Sequence, residues 1–171
     1  MYIKFIGAVV AVIASLMGGY SFYLSGKQEY SDLISCRLML QLIRSELHSC
    51  PSELSIILTN IQGRLQSAAA GFICSLSDSL SELGESTFFE LWERCVNEQL
   101  TMLKEEELNT VRDLGAVIGR YDAVQQVISI DAAIEKLMYF ENERALQLES
   151  GKKLSIGLPG ALGLMLVIVL F

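Results

Sequence analysis

Residues 5–26 read FIGAVVAVIASLMGGYSFYLSG and residues 154–171 read LSIGLPGALGLMLVIVLF, and neither stretch contains a charge. As helices at ~1.5 Å per residue they reach roughly 33 Å and 27 Å, close to the ~30 Å hydrocarbon core of a bilayer. In such a core every backbone N–H and C=O must be satisfied within its own segment, so each stretch is expected to be a helix that spans. A cleaved signal peptide is the rival reading of the first stretch. Its apolar run exceeds the usual signal core of about 7 to 15 residues, and Gly19-Tyr20-Ser21 offers only a weak small-x-small cleavage site. The chain thus divides into an N-terminal span (1–26), a water-facing domain (27–153) and a C-terminal span (154–171).

The basic residues near the membrane set its orientation. Lys4 stands alone on the outer side of the first span, whereas Lys27, Arg37, Arg144, Lys152 and Lys153 flank the domain side. The positive-inside rule therefore predicts a two-pass protein of the cell membrane with its domain in the cytoplasm. In that reducing compartment Cys36, Cys50, Cys74 and Cys95, none in C-x-x-C spacing, read as reduced packing residues. All 20 acidic residues fall between Glu29 and Glu149. Against nine basic residues, this gives residues 28–151 a net charge of about −11. Such a surface is repelled by nucleic acid and anionic headgroups, which leaves protein partners with basic patches.

Between the spans the apolar residues recur at helical spacing, with no strand-like alternation. Leu33, Cys36, Leu40, Ile43 and Leu47 form one stripe. Leu54, Ile57, Leu58, Ile61 and Leu65 form a second, and Ile73, Leu76, Leu80 and Leu83 a third. Phe88, Leu91, Trp92, Cys95, Val96, Leu100 and Leu103 follow, and Val127, Ile130, Ile134 and Leu137 mark a last long helix running on into the second span. Pro51 suits a first helical position, Gly84 a helix end, and Thr87 with Glu90, like Asp122 with Gln125, a capping box. The run Ser67–Gly71 is only a soft break, so residues 52–83 read as one long helix or two, giving five helices or six between the spans. Two spans on one membrane face require an even number of helices between them. The expectation is therefore all-α: a six-helix antiparallel bundle of about 28–48, 52–65, 68–83, 87–103, 105–118 and 123–150, between two transmembrane helices.

Catalytic signatures are missing. The sole histidine, His48, lies beside a helix end with no zinc frame or triad partners, and neither a Walker loop nor a dinucleotide fingerprint occurs. Glu105-Glu106-Glu107 reads as a solvated helix start rather than a metal site. No catalytic residue, metal or cofactor is expected. Gly7, Ala11, Ser15 and Gly19 place small side chains on one face of the first span, and Gly157 and Ala161 begin a shorter version on the second. Both faces allow close packing against another helix, in this chain or another.

The Ile6-Gly7-Ala8 step, the Arg37, Leu40, Ile43, Glu46, Leu47 helix and the aromatic start Phe88–Trp92 together carry a resemblance. Its most specific part is the motif of Leu114, Gly115, Ile118, Gly119, Asp122 and Gln126. Over essentially its whole length the chain resembles the stage III sporulation protein AB family, whose soluble part is similar to the cytoplasmic domains of F-type platform proteins of type II secretion and type IV pilus machines. The resemblance implies a non-enzymatic platform or adaptor in a channel complex between mother cell and forespore. Its domain would lie on the mother-cell side, and its partners would be sibling membrane subunits and a secretion-type ATPase, the stage III sporulation protein AA. The residues themselves read Gly115, Gly119, Asp122 and Gln126 as a structural joint. A channel-forming oligomer assembled through the small-residue faces, and a membrane-tethered enzyme using His48, are the alternatives.

Overall fold

The computed structural model describes residues 2–49 and 53–170, with the side chains of 2–16 and 152–170 and those of residues 19, 20 and 22 outside that description. Six α-helices form among the described residues: α1 (Tyr2–Ser49), α2 (Leu54–Gln62), α3 (Ser67–Ser79), α4 (Phe88–Gln99), α5 (Glu105–Arg112) and α6 (Ala123–Leu170). Short 3-10 turns follow α3 and α5, and no β-strand occurs among the described residues. The chain is all-α, as its periodicity predicts. It comprises two compact units, Met1–Gln28 with Glu143–Phe171, and Glu29–Asn142.

Helix α1 runs unbroken through residue 27. Gly26 alone cannot stop a helix without a left-handed backbone or an alternative hydrogen-bond partner, and a Cβ there would stand 3.2 Å from Leu148 Cδ2. Among the described residues no helix is long and apolar enough to cross a membrane. The small residues Gly7, Ala11, Ser15, Gly19, Gly157 and Ala161 have side-chain positions outside those residues, as do Cys50 and Pro51.

The second unit holds the core. Leu33, Cys36, Leu40 and Ile43 of α1 are at most 1% exposed, and they join Ile57, Leu58 and Ile61 of α2 and Phe72, Ile73 and Leu76 of α3 in one apolar cluster. Leu91, Trp92, Cys95 and Val96 of α4, Val111 of α5 and Ile130, Ile134 and Leu137 of α6 belong to the same cluster. The predicted stripes are thus buried, except at their edges. Leu54, Leu65 and Leu80 are only partly covered, and Leu83 is exposed, since α3 tightens to a 3-10 turn at Leu80–Glu82 before Gly84 takes φ +116°. Arg37 pairs with Glu141 and Arg44 with Asp131, a descending register produced by helices that run in opposite directions.

Two boundaries differ from the expected ones. The break between α2 and α3 lies at residues 63–66, and Ser67–Gly71 is the opening of α3. Three alanines favour helix there, and the turn forms instead where α1 supplies partners. Ser35 Oγ donates to Gln66 O at 2.7 Å, and Ser67 Oγ donates to the buried carboxylate of Asp32. Those bonds hold Ser67 at φ +59°, a left-handed conformation that a non-glycine residue seldom adopts. The fifth helix, expected over 105–118, ends at Arg112 and winds into a 3-10 turn, Asp113–Ala116.

Trp92 explains that second difference. Its indole Nε1 donates to Val111 O at 2.9 Å, and the ring meets Phe72 edge-on at 4.9 Å between centroids. A Cβ built on Gly115 would come within 2.4 Å of Trp92 Cδ1, so the backbone fits over the ring only where no side chain stands. Ring and backbone are both fixed, and neither can yield. Gly115→Ala is therefore expected to lower stability by about 2–3 kcal/mol, the cost of overpacking a well-filled core. Thermal unfolding followed by circular dichroism should show a drop of roughly 5–10 °C, and a shift below 2 °C would mean the notch relaxes freely.

Candidate functional site

The motif singled out in the sequence folds into one corner joining α5 to α6. Gly115 admits Trp92, and Leu114 and Ile118 point into the core, each at most 3% exposed. Gly119 has a different role from Gly115: it adopts φ +77°, and a Cβ there would meet nothing within 4 Å. A neighbour thus comes close at the first glycine only, while the second supplies a backbone reversal. Asp122 Oδ1 accepts the Gln125 N–H at 2.8 Å, which caps α6. Gln126 is 8% exposed, and its amide clips the turn: Nε2 donates to Tyr121 O at 2.6 Å and Oε1 accepts the Gly119 N–H at 3.3 Å.

The opening of α4 lies alongside this corner. Thr87 N–H donates to Glu90 Oε2 at 2.8 Å and Glu90 N–H donates to Thr87 Oγ1 at 3.3 Å, closing the predicted capping box. Those bonds, the backbone one first, hold the Glu90 carboxyl below its ordinary range. Phe88 follows, 5.8 Å from Trp92 between ring centroids.

The polar residues elsewhere do not converge as a catalytic set would. His48 is exposed in the last turn of α1. Of the acidic run at the start of α5, Glu105 and Glu106 are solvated, but Glu107 is buried and accepts the Lys104 N–H at 2.8 Å. The expectation of a wholly solvated start is corrected at that residue, which folds back as a cap. Among the described residues no group of His, Cys, Asp or Glu is arranged to hold a metal ion. Cys36, Cys74 and Cys95 are free thiols. Cys36 and Cys95 pack inside as expected, whereas Cys74 is exposed, because it falls on the outward side of α3 within reach of Gln62.

Sequence reasoning missed the surroundings of Cys36. Complete burial, and then the charges of Glu107 and Glu141, push its thiol from the ordinary 9.0 up to about 12. Glu141 is itself held by Arg37 at 2.6 Å. Nothing in the one-dimensional pattern places those carboxylates, 71 and 105 positions later, beside this residue.

An all-helical domain, built around an indole seated on a glycine and a doubly bonded turn, is the class that these features define. The chain belongs to the stage III sporulation protein AB family, whose sequence profile matches residues 4–171. A solved structure of stage III sporulation protein AB (SpoIIIAB) is similar in fold, with a TM-score of 0.63 at 19% identity, over 71% of this chain and 97% of that one. Comparison with curated proteins finds no significant match.

Two expectations follow from this geometry. Gly119→Ala retains open space but must hold an alanine at φ +77°, so it should cost roughly 1–2 kcal/mol. Gly119→Asn should cost less, because asparagine tolerates that conformation, and equal losses in denaturant melts would count against the backbone explanation. The thiol gives a pH dependence. Between pH 9.0 and about 12 the unfolded chain has released a proton that the native Cys36 keeps, so native stability falls as pH rises through that window and is unaffected below it. Relative to Cys36→Ala, the unfolding free energy of the natural chain should decline by roughly 1 kcal/mol per pH unit above pH 9. Urea titrations at pH 8, 9.5 and 10.5 measure it, and parallel curves for the two proteins would refute it.

Proposed function

We propose that this protein is a non-enzymatic platform subunit of a sporulation complex in the mother-cell membrane, anchored at both ends and docking a secretion-type ATPase through its acidic helical domain. The family match over residues 4–171 carries the reading, because it takes in both apolar stretches as well as the domain between them. In this arrangement residues 5–26 and 154–171 span the bilayer, and the six helices form an antiparallel bundle whose outer members continue into the spans. The small-residue faces, Gly7 to Gly19 and Gly157 with Ala161, pack the spans against each other or against sibling subunits.

Electrostatics supports a protein partner. About −11 charges over residues 28–151 disfavour nucleic acid and raise the encounter rate with a basic surface. The joint at Gly115–Gln126 serves the platform by fixing the corner from which α6 departs.

Co-purification tests this directly. The detergent-solubilised full chain should retain the stage III sporulation protein AA at low ionic strength, with retention declining as salt screens the acidic surface. Absence of association at every salt concentration would overturn the docking role. A cysteine placed in the 84–87 loop should resist an impermeant maleimide added to intact cells, and rapid labelling there would reverse the proposed topology.

A further inference from the structure

The unit Glu29–Asn142 contains six arginines, and five are ion-paired: Arg37 with Glu141, Arg44 with Asp131, Arg64 with Glu46, Arg94 with Glu82, and Arg112 with Glu93 and Glu105. Arg120 is the exception. It is exposed and makes no ion pair among the described residues, although acidic side chains outnumber basic ones about two to one around the domain. A guanidinium left open on such a surface is available to a carboxylate from elsewhere.

Its position narrows what that carboxylate belongs to. Arg120 lines a groove of about 550 Å³, together with Phe88, Phe89, Ala116, Ile118 and the bare backbone of Gly119. That volume falls within the ~300–1,000 Å³ typical of pockets that engulf ligands. Phe89 stays 38% exposed, and Tyr121 and Val124, next along the chain after Arg120, are 55% and 70% exposed. The left-handed turn at Gly119 leaves open space where any other residue would project a side chain.

We propose that this groove is a docking site for a polypeptide segment from another protein, one presenting a large apolar side chain beside an aspartate or glutamate. The apolar group seats between Phe88 and the Gly115–Gly119 backbone, and the carboxylate forms a charge-assisted pair with Arg120. Phosphate-rich ligands are disfavoured, since nucleic acid or an anionic membrane would meet the domain's net negative charge before reaching one guanidinium. Long-range attraction to a basic partner and local recognition of one acidic residue are compatible: the first sets encounter, and the second sets register. This site rests on the reading of the protein as a docking platform and specifies one contact within it.

A library of random twelve-residue peptides, panned on the detergent-solubilised full chain, tests the proposal. Enriched peptides should pair Leu, Ile, Phe or Trp with Asp or Glu within about four positions. Their affinity should fall at least tenfold for Arg120→Glu and less for Arg120→Ala, while helix content and melting temperature stay unchanged because the Arg120 guanidinium makes no ion pair among the described residues. No enrichment, a preference for basic or purely apolar peptides, or binding indifferent to Arg120→Glu would overturn it. A change in the oligomeric mass of the free chain on Arg120→Glu would assign the groove to a second copy and equally overturn it. ATPase retention by Arg120→Glu at wild-type strength would remove this site and leave the platform reading intact. Loss of ATPase retention in the natural chain, with peptide selection as described, would remove only the platform reading.

Discussion

The contact on which the helical domain depends is the indole of Trp92 lying against the unsubstituted backbone of Gly115. Trp92 is fully buried, hydrogen-bonded to Val111 O, and braced by Phe72 and Phe88, so it connects α3, α4 and α5 in one place. The backbone must come within van der Waals reach of the ring, and that demand converts the end of α5 into a 3-10 turn. It also delivers the chain to Gly119 at the position where a reversal is needed. Gly119, Asp122 and Gln126 then satisfy the backbone groups that the reversal exposes. Fold and the α5–α6 corner are therefore consequences of a single steric condition.

A second set of constraints acts around α1. Arg37, Asp32 and Ser35 tie this helix to α6 and to the turn before α3, and the apolar stripe Leu33 to Leu47 lies on its inward side. The polar ties set register and the apolar stripe supplies most of the free energy, since one buried Leu or Ile contributes ~1.5–3 kcal/mol while a hydrogen bond nets ~0.5–1.5. Arg44–Asp131 and Arg64–Glu46 are more exposed and add less. Because five arginines are neutralised internally, the domain's outward field is dominated by its excess of carboxylates.

Much of this was legible in the sequence because it is local. Helical periodicity identified the buried stripes, and short-range side-chain to backbone bonds gave the caps at Thr87 and Asp122. The family resemblance lay in a motif whose spacing is itself local. What was not legible is set by partners distant along the chain. The α2–α3 turn sits at 63–66 because Asp32 and Ser35 wait there, not because Ser67–Gly71 is weak helix. Gly115 and Gly119 look equivalent in a one-dimensional pattern, yet one is a steric notch and the other a backbone reversal. Glu107 appears solvated among three glutamates until packing shows it turned inward. The isolation of Arg120 is likewise a property of its neighbours, and no motif encodes it.

The seating of an indole on a glycine also limits how this lineage can drift. A larger residue at position 115 is costly unless position 92 shrinks with it, because the Trp92 ring occupies the space a side chain there would need. The two positions are therefore energetically coupled, and volume changes of opposite sense at 92 and 115 are expected to do less harm together than apart.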